Sequence, residues 1–204
     1  MCHHCLYLRT GLKEENRLAS LAHAQAAMTY GQDDALALTY AGFSIGMDGH
    51  DRGAAFAAFQ SALALSASSA LTYILGSVVL GWGAEAERAI EWSERGLRLS
   101  PFDPWAFAAY DAQAMGHFFL GQYEQAAAAA YKSNQANPAH SITYVQMAAA
   151  LSKLGRLDDA RAAADRVLQL QPNFRFSRQF AGVGCAPALA AKMGEALGAA
   201  GLPE

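Results

Sequence analysis

The sequence predicts an all-α fold built from repeated pairs of helices. Alanine-rich stretches such as 126–131 and 148–152 favour helices, because alanine has the highest helix propensity of all residues. Few stretches alternate β-branched and polar residues as half-buried strands do. Glycines and other small residues recur at a nearly constant spacing, which is typical of helical repeat arrays.

The repeat period is visible in several columns of residues. Turn glycines are separated by 34, 38 and 34 positions: Gly49, Gly83, Gly121 and Gly155. Small residues early in the following helix keep nearly the same period: Ser20, Ala55, Ala89, Ala126 and Ala160. We expect the glycines to supply positive φ angles in tight turns. Pro101, Pro138 and Pro172 end three units, since proline cannot continue a helix.

These signals place the elements in order along the chain. The expected helices are 1–9, 15–30, 35–48, 53–66, 69–82, 86–99, 105–119, 123–136, 141–153 and 157–170. A short helical fragment at 176–180 follows, and 188–199 predicts a last helix that caps the array. We therefore divide the chain into a partial repeat (1–34), four repeats (35–68, 69–103, 107–140 and 141–174) and a cap (175–204), with Pro104-Trp105-Ala106 inserted after the second full repeat.

The repeat resembles the tetratricopeptide repeat (TPR), a 34-residue helix-turn-helix unit. In the clearest copy, 141–174, the family's signature positions hold Tyr144, Met147, Ala148, Leu151, Gly155, Ala160, Ala164, Val167 and Pro172. In 107–140 they hold Tyr110, Ala114, Gly121, Ala126, Ala130 and Pro138. The resemblance extends over most of the chain and implies an α/α superhelix, a TPR-like solenoid that binds proteins through a concave groove.

Three segments carry a narrower resemblance. Residues 89–105, 174–182 and the closing LGAAGLPE are similar to the C-terminal repeat region of bacterial class III adenylate/guanylate cyclase-type proteins and related regulators. This resemblance implies a bacterial regulatory context. The cyclase activity is not carried over, because 204 residues that are nearly all repeat leave no room for a catalytic module.

Composition argues against several classes of function. The net charge is −3 and no run of Lys or Arg occurs, so a nucleic-acid partner is not expected. The most apolar stretch, 71–82, is too short to span a bilayer, and the N-terminus has no signal-peptide pattern. Three cysteines without a secreted spacing indicate a reducing compartment, so we expect a cytoplasmic protein that does not bind membranes.

Two segments that contain cysteine are candidates for metal or thiol chemistry. Cys2-His3-His4-Cys5 contains zinc-ligand types, but successive helical residues point about 100° apart and cannot converge on one ion. No base at a fixed spacing marks Cys185 as a nucleophile, so we expect a packed thiol there. We therefore expect no enzyme, catalytic residue, cofactor or metal; a metal- or thiol-dependent enzyme is the remote alternative.

The TPR resemblance places a partner-binding groove on the first helix of each unit. The residues it assigns to the groove are Thr39, Phe43, Met47, Tyr73, Ser77, Asp111, Met115, Phe118, Gln146 and Lys153. Lys153 alone is basic in this set, so the clamp that some family members use for acidic peptide tails is not expected. A neutral groove rich in aromatic residues and Met suits an apolar helix or extended segment, although the rings could instead only fill the interior.

The predicted function is a protein–protein interaction scaffold. The alternative is a regulatory C-terminal region of a cyclase-like multidomain enzyme. Because the sequence starts within a repeat, we expect either a piece of a longer protein or an array whose N-terminal helices pack on a second copy as a homodimer.

Overall fold

The structure, a computed structural model, describes residues 2–9 and 11–204, and for Cys2 and Arg9 it describes the backbone alone. The described residues form helices and no strands, which confirms the all-α prediction. Each predicted helix is present, with ends displaced by at most two residues. The helices are α1 (Cys2–Arg9), α2 (Glu14–Tyr30), α3 (Ala35–Met47), α4 (Arg52–Leu65), α5 (Ala70–Trp82), α6 (Ala86–Leu99), α7 (Ala106–Phe119), α8 (Tyr123–Ala136), α9 (Ser141–Lys153), α10 (Leu157–Leu170), α11 (Phe176–Gly182) and α12 (Pro187–Ala199).

Eight central helices form four pairs, α3–α4, α5–α6, α7–α8 and α9–α10. The first helix of each pair also packs against the first helix of the next pair. Small residues lie where the helices cross: a Cβ atom added at Gly76 would lie 2.5 Å from the Trp92 ring. The predicted small column is buried at all five positions, with an exposure of 3% at Ser20 and of 0 or 1% at Ala55, Ala89, Ala126 and Ala160. The period therefore reflects close helix packing.

The turns within the pairs correct one prediction. Gly121 and Gly155 have positive φ, as expected, but Gly83 has a φ of −76°. In the first two pairs the left-handed residue is the next one, His50 (φ 58°) or Ala84 (φ 60°). The glycine prediction was wrong there because the extra turn residue moves the left-handed position by one. His50 adopts it at some cost, since non-glycine residues favour negative φ.

A tyrosine and a cation pack together in three consecutive pairs. In each, the tyrosine is on the first helix and the cation lies 22 positions later on the second. The pairs are Tyr73–Arg95 (4.4 Å from ring centre to guanidinium), Tyr110–Lys132 (5.9 Å) and Tyr144–Arg166 (5.9 Å). These contacts join the two helices of one unit, so the tyrosines face their own unit's second helix.

The C-terminal helix α12 covers the end of the array by packing against α9. It buries Leu189, Met193 and Leu197 completely or almost so. At its solvent side, Lys153 of α9 contacts Glu195 of α12 at 2.8 Å. The short α11 lies elsewhere, on the inner side of the array.

Candidate functional site

A cavity of about 590 Å³ lies on the side of the first helices, α3, α5, α7 and α9. The second helices contribute only Leu170, at the end of α10, to its described lining. The wall is mainly apolar and rich in rings and thioethers. Its large apolar residues are Phe43, Met47, Leu75, Val78, Trp82, Trp105, Phe107, Met115 and Ile142.

Two closing segments, residues 2–9 and 174–186, lie across this inner side. In the first, His4 Nδ1 lies 2.7 Å from Asp48 Oδ1 at the end of α3, and the His4 ring packs edge-on against Phe43. Ser20 Oγ donates to the other Asp48 oxygen at 2.5 Å. Asp48 is fully buried, so these hydrogen bonds satisfy a carboxylate that water cannot reach. His4, Cys5 and Leu8 thereby line the cavity.

The second closing segment is tied to the end of α5 and, through Arg52, to the start of α4. Ala186 N donates to the Trp82 carbonyl at 2.8 Å, and Phe180 packs on the Trp82 ring at 5.9 Å. The Arg52 guanidinium donates to the carbonyls of Trp82 and Gly184. Gln179 and Val183 of this segment face the cavity.

The two closing segments also approach each other. Arg178 donates to the Gly11 carbonyl at 2.7 Å, next to the first segment. A Cβ at Gly182 would lie 3.0 Å from Leu12 and 3.1 Å from the Tyr7 hydroxyl. Burial there raises the pKa of Tyr7. The inner side is therefore bounded by the array on one side and by the chain's own ends on the other.

A buried carboxylate organises the polar part of the cavity. Asp111 is 3% exposed, accepts a hydrogen bond from Thr143 Oγ1 (3.0 Å), and has its second carboxylate oxygen 3.1 Å from His140 Nε2. The Gln146 side-chain amide, oriented with its nitrogen toward the carboxylate, donates to Asp111 Oδ1 at 3.1 Å. Ser133 Oγ in turn lies 2.8 Å from Thr143 Oγ1. The cluster holds His140 and Gln146 in fixed positions on the cavity wall.

Three partly exposed rings form what we name the entrance: Trp105, Phe107 and His140. Trp105 stacks on Phe107, with ring centres 5.5 Å apart and an angle of 27°. Phe107 meets His140 edge-on at 4.9 Å. Trp105 belongs to the insertion Pro104-Trp105-Ala106, and its backbone N–H donates to Asp103 Oδ1 at 2.9 Å. A departure from the repeat period therefore positions Trp105 at the entrance.

Half of the sequence-predicted groove residues line the cavity. These five are Phe43, Met47, Asp111, Met115 and Gln146. The sequence reasoning missed Trp82, Trp105, Phe107 and His140. The insertion of Trp105 against the period was the one signal that could have found the entrance.

The other five predicted residues lie away from the cavity. Thr39 bonds Thr72 between α3 and α5 at 2.6 Å, and Ser77 donates to the Ile74 carbonyl within α5. The three remaining side chains pack elsewhere: Tyr73 against Trp92 and Arg95, Phe118 against Tyr123, and Lys153 against Glu195. These five side chains contact their own or a neighbouring helix and do not line the cavity, so their assignment to a partner-binding groove stays a prediction.

The described side chains of the N-terminal cluster, His3, His4 and Cys5, point in different directions. His3 stacks on His23 at 5.3 Å, His4 contacts Asp48, and Cys5 is exposed beside the cavity. The part of the chain that the structure describes contains no group of three or more His, Cys, Asp or Glu residues able to hold a metal. Burial raises the pKa of the Cys185 thiol to about 12, so this thiol is protonated and a poor nucleophile at neutral pH.

Residues 120–179 match the family model described as Tetratricopeptide repeat. Among solved structures, one from a functional characterization of Pseudomonas aeruginosa pilF has 17% identity and a TM-score of 0.59, with 90% of this chain and 91% of that chain covered. A MamA RS-1 ArsTM double mutant has 18% identity and a TM-score of 0.58, with coverages of 84% and 91%. The fold is a TPR-like solenoid.

A third solenoid of this kind is YrrB, described as a TPR protein with an unusual peptide-binding site. It has 16% identity and a TM-score of 0.55, and the match covers 86% of this chain and 91% of YrrB. No curated protein matches the sequence. Within the described residues of the TPR-like solenoid, no helix combines the length and apolarity that crossing a membrane requires.

Proposed function

We propose that this TPR-like solenoid is a non-catalytic interaction module that binds a short apolar segment of a partner protein at the entrance. The observation that carries the proposal is the cavity of about 590 Å³ that the packed chain leaves beside three partly exposed rings. Aromatic and Met side chains are the residues that protein interfaces favour. The YrrB description, a TPR protein with a peptide-binding site, is in keeping with this role.

The charge of the lining favours an apolar or neutral segment over an acidic tail. Among the described residues, no Lys or Arg lines the cavity. Lys153, the one basic residue of the predicted groove, contacts Glu195 outside it. An acidic tail would therefore lose its hydration without gaining a cationic partner.

We also propose a cytoplasmic, bacterial regulatory context for the module. The resemblance of segments 89–105 and 174–182 to repeat regions of cyclase-type regulators supports it. The predicted homodimer stays a prediction, and α1 packs on its own chain through His4 and Asp48. Light scattering at high concentration tests the dimer, and a strict monomer would contradict it.

Affinity capture with two matched variants tests the proposed function. Trp105→Ala removes the entrance ring, whereas Phe102→Ala removes a ring that is 97% exposed in the same loop and does not line the cavity. We expect wild type and Phe102→Ala to retain the same protein, and Trp105→Ala to retain it about tenfold more weakly. Equal retention by both variants would place the binding site elsewhere.

A further inference from the structure

We propose that the cavity is also a site for a small uncharged molecule that has an apolar body and one hydrogen-bonding group. This goes beyond the interaction module, because a molecule of this class can bind whether or not a partner protein does. Three properties of the cavity carry the inference: its size and closure, its charge, and the kind of polar groups in its wall.

Size and closure favour a compact occupant. A volume of about 590 Å³ lies within the range of roughly 300–1,000 Å³ that small-molecule pockets occupy. The two closing segments lie across the inner side, with His4 against Phe43 and Phe180 against Trp82. An extended chain cannot run along the first helices past these contacts, whereas a compact molecule needs only the space between them.

The charge of the wall disfavours an ionised ligand of either sign. An anion would meet no Lys or Arg among the described lining residues. A cation would meet Asp111, but this carboxylate is buried, already accepts hydrogen bonds from Thr143 and Gln146, and lies 3.1 Å from His140 Nε2. Either ion would lose its hydration without an adequate replacement. This desolvation costs several kcal/mol more for an ion than for a neutral polar group.

The remaining polar groups suit a neutral hydrogen-bonding ligand. Gln146 and Gln179 are buried amides on the cavity wall, and an amide can both donate and accept. Around them, Trp82, Trp105 and Met115 offer broad apolar surfaces. A few polar groups within an apolar wall fix the orientation of a ligand while burial supplies most of its affinity.

A matched series of three probes tests the proposal on the full chain. Para-tert-butylbenzamide is neutral, para-tert-butylbenzoate is anionic and para-tert-butylbenzylamine is cationic at pH 7, while their apolar bodies are alike. Two tryptophans line the cavity, so tryptophan fluorescence reports binding directly. We expect the benzamide to bind saturably and at least about tenfold more tightly than either ion.

The result that overturns the proposal is an ion that binds as tightly as the benzamide, or a benzamide that does not saturate. The same titration by calorimetry on Trp105→Ala and Phe102→Ala locates the site. Weakened benzamide binding in Trp105→Ala with unchanged binding in Phe102→Ala supports the cavity, and the reverse pattern refutes it. Because these titrations contain no partner protein, their failure is separate from a failure of the affinity capture.

Discussion

The regular repeats and the irregular segments of this chain make different contributions to the inner cavity. The four helix pairs use the same small columns, three of them share the tyrosine–cation contact, and together they build a continuous scaffold. The entrance tryptophan comes from an insertion, and the cavity is closed by residues 2–9 and 174–186, which lie outside the regular pairs. The difference teaches that the period specifies the scaffold and most of the cavity wall, whereas departures from the period specify the entrance tryptophan and the closing segments.

The largest effect on the free energy of unfolding is expected in the tightly packed core between the helices of the regular pairs. Phe59 of α4 is 0% exposed and packs against Phe56 and Trp92. Phe59→Ala should lower the free energy of unfolding by about 3–5 kcal/mol, because it removes a large side chain and leaves a cavity. Phe102→Ala, in an irregular loop, should change it by less than about 0.5 kcal/mol. Urea unfolding followed by circular dichroism measures both, and similar losses would contradict the contrast.

The second closing segment should shield its thiol strongly. Burial raises the pKa of Cys185 from an ordinary value of 9.0 to about 12. At pH 7.5 the thiolate fraction of Cys185 is therefore roughly a thousandfold smaller than that of a thiol with the ordinary pKa. Alkylation of Cys185 by iodoacetamide, followed by mass spectrometry, should be slower by about that factor in the folded chain than in urea. Its rate should rise with pH toward 12, and equal rates in both states would show that this segment is open.

Two glycines in the regular helices differ in the space around them, so alanine at each position should have opposite effects on stability. Gly76→Ala places a methyl group against the rigid Trp92 ring, and overpacking of about 1–3 kcal/mol should exceed the gain of about 1 kcal/mol in helix propensity. Gly53→Ala meets nothing closer than 3.5 Å and should stabilise by about 0.4–1 kcal/mol. Thermal and urea unfolding should give opposite signs, and stabilisation by both changes would refute the packing argument.

The smallest effect concerns the repeated tyrosine–cation contact. A double-mutant cycle with Tyr73→Leu and Arg95→Ala should give a coupling free energy of about 0.5–1 kcal/mol, since Arg95 is exposed to solvent. Urea unfolding of the four chains measures it. If the two single substitutions change the free energy of unfolding additively, the tyrosine–cation contact contributes nothing to stability.

Most of the fold could be predicted from the sequence, because helix ends and the repeat period depend on local residues. The glycine and alanine columns gave the order of the pairs, and Asp34 caps α3 through hydrogen bonds to Leu36 N and Ala37 N. These signals act over a few positions, so one sequence is enough to read them.

The site could be predicted only in part. Helix α5 is apolar nearly all round and buried on most sides, so its sequence does not show which face points inward. The sequence therefore could not show that Leu75, Val78 and Trp82 line the cavity while Tyr73 and Ser77 do not. The closure by His4–Asp48 and by Arg178–Gly11 joins residues 44 and 167 positions apart, and no local pattern reports such contacts.

Photo-cross-linking tests the central claim, that binding occurs at the entrance created by the irregular segments. Trp105 is replaced by p-benzoylphenylalanine in one chain and Phe102 in a second, and each chain is irradiated with the retained partner. The two positions share a loop, but Trp105 alone of the pair lines the cavity. We predict covalent adducts from position 105 and few from position 102; adducts of equal yield, or adducts from position 102 alone, would contradict the account.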